Sequence, residues 1–515
     1  MKTNRPFARA SIAFSLFALS CATQHAHAAD WRWLNANNQP RPIAIQAAKQ
    51  LVAADSDGLS PPDYEASKIE SALAAASKAP LAPEEAAKLD EQLTQSVLRY
   101  ANELHHGRID PKTIRENYTP DARPPFDANA LLTQALATGD LQPLWQAATP
   151  KAPMYEELRT ELQRYLRLRA HPAWGSPLPA LPKAATIRPM QEWSGLPLLA
   201  QRLAALGYLP ASAPQDSRKL TPELQQAISS YQKHHSLKQS GLFDRATSES
   251  INITPTERAA QIAQTLERLR WAPLQQAQRM IVVNIPEYRL RAYTLYNYKA
   301  IETLPINVIV GRARSNPTPL FNKDMQRVEF SPFWNVPPSI LRKEMLPRIQ
   351  NDPDYIRRGN YEIVGSNGKK VELSPEALAG LANGSMRVRQ RPGRGNALGG
   401  VKFIFPNNQN IYLHHTSSPG LFKREARAMS HGCVRVEEPK LLAKFVLHDN
   451  PEWTEQRIST AIDKHAGGAV QLKQPIPVII TYLTTVIGED KNLYFLPDVY
   501  GQDKLLQRAL EKRPK

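Results

Sequence analysis

Cysteine is almost missing from this chain: only Cys21 and Cys433 occur in 515 residues. That excludes a disulfide framework and the multi-cysteine zinc modules. Beyond residue 21, no apolar run has the length of a membrane span. Acidic groups are in deficit, with 48 Asp and Glu against 65 Lys and Arg, for a formal net charge of +17. Such a chain suits an anionic partner: cell wall, membrane surface or nucleic acid. The excess equally fits a merely solvated surface. No zinc-finger, RNP-like or other nucleic-acid module is present, so no nucleic-acid partner is expected.

What is there begins with a leader. Lys2, Arg5 and Arg9 form a basic n-region, Ala10 to Cys21 a short apolar run, and Ala26-His27-Ala28 a small-residue cleavage site. This predicts a signal peptide over 1–28, hence export. An uncleaved anchor is the bland alternative. A lipoprotein at Cys21 is disfavoured by Ala18, where a lipobox prefers leucine. Cleavage leaves 515 − 28 = 487 residues, roughly three domains by length, with a charge of 17 − 3 = +14. It also leaves Cys433 as the sole cysteine. An unpaired thiol in an exported protein reads as an intermolecular bridge or a reactive group.

The chain divides by texture. Residues 29–170 are expected to form a helical scaffold domain. There Leu89, Leu93, Val97, Leu98, Tyr100 and Leu104 keep helical spacing, and Gly107 is a stop. His105-His106 reads as the surface end of that helix rather than a metal site. Residues 171–194 are rich in Pro and Ala and read as a linker. A small three-helix unit follows over 195–253. Leu199, Leu203 and Leu206 mark its first helix, and Leu224, Ala227, Ile228 and Tyr231 its second, with Thr221 as N-cap and Pro222 at the first helical position. A connecting helix over 254–277 carries Ile262, Leu266 and Leu269. From 278 to 487 the pattern turns β-rich ("MIVVNIPEYRLRAYTL", "LPINVIVG", "NIYLHHT", "IPVIITYLTTVIG"), with a helical insertion over 339–395. Residues 488–515 form a tail with a short basic helix. The fold class is therefore multidomain α+β.

Chemistry concentrates in His414, His415, His431 and Cys433. A thiol needs a base or a positive neighbour to ionise near neutral pH. His414 lies 433 − 414 = 19 residues ahead, ending the apolar stretch "IYLHH". Consecutive strand residues face opposite sides, so His414 and His415 cannot both reach one site. Gly432 lets the backbone approach a substrate closely, and the Cys433 N–H with a neighbour could hold an oxyanion. Arg435 alternates with Cys433 and suits a substrate carboxylate. A buried structural cysteine is one rival reading. A zinc site is another, disfavoured because no carboxylate cluster or second cysteine completes it, so neither metal nor cofactor is expected. A cysteine acyl-transfer enzyme fits best, with hydrolase and transferase left open.

Two resemblances sharpen this. "LGYL", "YQKHHSL" and "GLFDRAT" resemble the peptidoglycan-binding domain 1 family. "SHGCVRV" with the upstream histidine resembles the YkuD-type L,D-transpeptidase motif. "SPFWNVPPSI", "RQRPGRGNALGGVKFIFPN" and "IYLHHT" are similar to its large periplasmic subgroup. The resemblance implies a periplasmic, wall-associated enzyme that crosslinks peptidoglycan tetrapeptide stems through a Cys433 thioester. It implies His414 as base, and His431 as a pocket or oxyanion residue. Gly432 would contribute backbone and Arg435 a substrate contact. Trp334 and Asn335 would shape the entrance, and 339–395 would form a lid. One departure stands out: "LHHTS" replaces the subgroup's "LHDTP", placing His415 where an aspartate is usual. That keeps open a peptidoglycan-binding scaffold with a degenerate site; a thiol hydrolase, an L,D-carboxypeptidase, is a separate alternative.

Overall fold

The computed structural model describes residues 33–114, 125–152, 154–181, 186–271, 278–296 and 299–512. The leader predicted over 1–28 lies outside them. The N-terminal region is helical: α1 (Pro42–Val52), α2 (Ala66–Ala76), α3 (Pro83–His106), α4 (Ala128–Thr138) and α5 (Gln142–Ala148). Leu89, Leu93, Val97, Tyr100 and Leu104 of α3 face one apolar core with Trp33, Ile43 and Leu132. Their 3–4-residue spacing makes that face continuous. His105 and His106 end α3, and His105 stacks on Phe126 at 4.3 Å.

Next come α6 (Tyr155–Arg167), α7 (Leu196–Ala205), α8 (Pro222–His234), α9 (Arg245–Asn252) and α10 (Pro255–Trp271). Thr221 Oγ1 accepts from the Leu224 amide at 3.3 Å, so it caps α8 as its sequence indicates. Gln232 is buried for a structural reason. Its side chain accepts from the Ser240 and Gly241 amides and donates to the Leu242 carbonyl, holding the turn before α9. The Pro/Ala-rich 171–194 stretch, expected as a linker, is bound into this unit where it is described. Arg202 donates to the Ala173 and Ser176 carbonyls at 2.8 and 2.6 Å, and Trp193 stacks on Phe243 at 5.1 Å. Proline and alanine signalled an absence of regular structure, but Arg202 gives these carbonyls a partner that local composition does not reveal.

The C-terminal part is β-rich. Its strands are β1 (Arg279–Asn284), β2 (Arg289–Tyr296), β3 (Lys299–Gly311), β4 (Phe321–Phe330), β5 (Trp334–Asn335), β6 (Tyr361–Val364), β7 (Lys370–Val371), β8 (Arg387–Gln390), β9 (Val401–Ile404), β10 (Leu413–His414), β11 (Ala428–Ser430), β12 (Val434–Val436), β13 (Ala469–Thr481), β14 (Thr485–Ile487) and β15 (Leu493–Phe495). Among the described residues one sheet runs β11-β3-β12-β10-β9-β4-β13-β1-β2, and β2 also pairs with β3, closing it into a barrel. Val328, Phe403, Leu413 and Val434 line its core. The insertion carries its own core, including Leu341, Met345, Ile349, Leu381 and Val388, and its own sheet, β5-β8-β6-β7. That sheet draws in Trp334 and Asn335, so the unit begins ahead of residue 339. Strands of two to four residues explain why its sequence read as helices and turns alone.

Helix α10 ties the parts together. Glu267 is 1% exposed. It accepts from the Arg108 and Ile109 amides at 2.5 and 2.9 Å, from Trp271 Nε1 at 3.3 Å and from Arg270 Nη1 at 3.3 Å. Glu267→Ala strands two amides and removes one of the two carboxylates that offset the buried Arg270 charge, and breaking such a buried pair costs roughly 3–5 kcal/mol. Urea unfolding is expected to show a loss of that size, with Glu267→Gln losing less. Equal midpoints for wild type and Glu267→Ala would count against this junction.

Candidate active site

Strands β10 and β12 lie side by side in parallel, pairing Leu413 with Val434 and His414 with Arg435. On the other side of β10, Leu413 pairs with Phe403 and His414 with Lys402 of β9. Paired residues share a face, and residues two apart in a strand do too. One face therefore carries Leu413, Val434 and Phe403 into the barrel core. The opposite face carries His414, Arg435 and Lys402, and by alternation Tyr412 and Cys433. Tyr412, two residues before His414, was passed over in the sequence, although its spacing in "IYLHH" signals the shared face. Lys402 had no local signal, because only strand pairing brings β9 beside β10.

The turn ahead of Cys433 is held by hydroxyls. Ser430 Oγ accepts from the Gly432 amide at 3.1 Å and donates to the Cys433 carbonyl at 2.6 Å. Thr318 Oγ1 donates to the Gly432 carbonyl at 2.7 Å. Gly432 has φ +114°, a conformation open to glycine and strained for other residues. Its N–H is thus engaged by Ser430 within the turn.

Cys433 is partly buried, and its Sγ lies 3.5 Å from the Asn410 carbonyl. Burial pushes its pKa up. Hydrogen bonds from Tyr412, together with the charges of Lys402 and Arg435, oppose that shift. The Tyr412 hydroxyl is itself held well above its ordinary range by burial and by the sulfur it bonds. Arg435 is lowered by burial, and its Nε is buried without a hydrogen-bond partner among the described residues.

His414 is 4% exposed, and its pKa falls to about 3, first through burial and then through the Arg435 charge. Its Nδ1 contacts the His415 carbonyl. A carbonyl can only accept, so Nδ1 carries the proton and Nε2 keeps its lone pair. His415 turns the other way. Its Nδ1 accepts from the Gly400 amide at 3.2 Å, and a Cβ on Gly399 (φ +63°) would come within 2.6 Å of its ring. The residue in the aspartate's place therefore braces the β9 turn, while its carbonyl orients His414.

His431 points toward the insertion. Its Nε2 lies 2.7 Å from Glu344 Oε1, and Arg312 Nη1 is 3.5 Å away. Glu344 sits on a π-helical turn, Leu341–Met345, a geometry frequent at functional sites. Trp334 packs against the insertion's core, 6.4 Å from the Tyr361 ring, and Asn335 is exposed beside it. The structure thus brings Cys433, His414 and Arg435 onto one face with Tyr412 and Lys402. It places His431, Trp334 and Asn335 at the insertion. Among the described residues, no group of three or more His, Cys, Asp or Glu side chains is placed to hold a metal.

Residues 278–476, which contain this whole constellation, match the family model described as "L,D-transpeptidase catalytic domain". The chain carries a YkuD-type L,D-transpeptidase domain. Ahead of the YkuD domain, residues 187–251 match "Putative peptidoglycan binding domain", and residues 25–162 match "Scaffold domain". A protein of Haemophilus influenzae named "Putative L,D-transpeptidase" is 36% identical over 264 residues, covering 51% of this chain and 51% of that protein. The match thus spans about half the length of that relative. A solved structure from Clostridium acetobutylicum, titled as a fused Zn-dependent amidase/peptidase/peptidoglycan-binding domain-containing protein, covers 58% of this chain and 100% of its own. Its 10% identity and TM-score of 0.17 carry no argument. Among the described residues, no helix is long and apolar enough to cross a membrane.

Proposed function

We propose that this protein is an exported L,D-transpeptidase that crosslinks peptidoglycan stem peptides through a Cys433 thioester. The observation that carries this is the thiol's position. It lies beside Tyr412 on the barrel face shared with His414 and Arg435, inside the YkuD domain.

In the first half-reaction His414 Nε2 takes the thiol proton, and the sulfur attacks the carbonyl of the third stem residue. The oxyanion is held by the Cys433 amide and the Tyr412 hydroxyl, donors fixed in place before the charge develops. Collapse breaks the peptide bond, and the proton on His414 leaves with D-alanine. A side-chain amine of a second stem then attacks the thioester, its proton passing through His414 to the departing thiolate. Arg435, with an unpartnered buried Nε, suits a stem carboxylate. The three-helix unit anchors the protein to the wall. The insertion acts as a lid, supported by the contact between Glu344 and His431. Export rests on the leader motif at residues 1–28.

The test is to incubate the purified protein with tetrapeptide muropeptides and analyse products by mass spectrometry. D-Alanine release with dimers is the expected result. Trimmed monomers alone would make it a carboxypeptidase. Wall binding with neither product would leave a scaffold.

A further inference from the structure

Lys402 has no role in the steps above, yet its surroundings are unusual for a lysine. It pairs with His414 on one side and with Glu329 of β4 on the other. Glu329, Lys402, His414 and Arg435 therefore form one row across four adjacent strands, on the thiol's face of the sheet. Lys402 is half-buried, and among the described residues no carboxylate lies within ion-pair distance of its ammonium. Instead Nζ sits 3.9 Å from the centroid of the Tyr412 ring. Tyr412 lies beside Cys433 on the same face: the Val434 amide donates to the Tyr412 carbonyl at 3.2 Å, and β10 and β12 run in parallel there. A cation on a ring face is attracted by its quadrupole, more strongly when desolvated.

We propose that Lys402 is a positioning residue for the nucleophile: its ammonium, seated on the Tyr412 ring, fixes the phenol against the sulfur and stabilises the thiolate. Burial lowers the pKa of Lys402, and the charges of Glu329 and the Cys433 thiolate act against that shift. The other groups facing the pair are accounted for. Tyr412, His414 and the Asn410 carbonyl come from β10 and the loop before it. Arg435 comes from β12 with Arg312 behind it, and Glu329 and Arg327 come from β4. Glu329 is the acidic member, and its charge opposes that of Lys402 at the sulfur.

This inference rests on Cys433 being the nucleophile, but its test reads the thiol directly and needs no wall substrate. The full-length protein is treated with iodoacetamide from pH 5 to 10, and the Cys433 peptide is followed by mass spectrometry. An opposite charge within about 4–6 Å lowers an acid's pKa by roughly 1–3 units. Lys402→Met is therefore expected to move the alkylation midpoint up by about one pH unit, slowing alkylation roughly tenfold at neutral pH. The alkaline plateau stays unchanged. Lys402→Arg keeps the charge and a midpoint near wild type. Glu329→Gln moves the midpoint down. Identical midpoints in wild type and Lys402→Met overturn the proposal. If Lys402→Met fails to fold by near-UV circular dichroism, Lys402→Gln decides: an upward shift supports the role of Lys402, and no shift overturns it.

Discussion

Cys433→Ala is expected to abolish D-alanine release and dimer formation while leaving the fold and wall binding intact. Removing the nucleophile of an acyl-transfer site costs on the order of a millionfold in rate. Among the described residues no second thiol can stand in, because Cys433 is their free cysteine and Cys21 falls in the predicted leader. The substitution is structurally mild. The thiol is partly buried, and the Ser430 hydroxyl bonds the Cys433 backbone carbonyl rather than its side chain. Two readouts check this. Incubation with a tetrapeptide stem should add an acyl mass to wild type and none to the variant, and the muropeptide profile should lose its dimers. Unchanged turnover in Cys433→Ala would sink the proposed function outright, whatever the fold.

Much of this site was legible because strand alternation is a local rule. "IYLHH" put His414 and His415 on opposite sides, and the structure has His415 bracing Gly400 while His414 shares the thiol's face. The chain of the α8 cap, Thr221 to Leu224, was equally local. What escaped was non-local. Lys402 reaches the site only through the pairing of β9 with β10, and register between strands leaves no mark in either strand alone. Glu344 is 87 residues before His431, so its contact with that imidazole needs the insertion to fold back over the motif. For the same reason His431, expected in the pocket from its motif, has its imidazole on Glu344 of the insertion, and Trp334, expected at the entrance, packs on the insertion's core. The roles of these residues came from family resemblance; the geometry adds Tyr412 and Lys402, and assigns His415 a structural task.

His414→Gln is expected to slow thioester formation at neutral pH by about 10²–10⁴-fold, the range for loss of a positioned base. Iodoacetamide alkylation at pH 10 should survive, because hydroxide then ionises the thiol without help. That split separates loss of a base from collapse of the pocket. Full acylation by the variant at neutral pH would remove His414 from the mechanism. His431 is tied to Glu344, so Tyr412 would remain as the protic group on the sulfur. The same residue has a stability consequence. Its pKa is about 3 in the fold, whereas an unfolded histidine titrates near 6.5, so between those values the unfolded chain holds the extra proton. Stability is full above about pH 6.5 and falls as the pH drops toward 3. His235, lowered by burial between Tyr231 and Phe495, acts in the same direction. Urea midpoints measured from pH 7.5 to 4.5 should therefore decline in wild type. In His414→Gln, with no proton to gain, they should decline less steeply but not become flat, because His235 still titrates. Equal slopes in the two proteins would mean that His414 is not held neutral in the fold, and its Nε2 would then lack the lone pair that the proposed base requires.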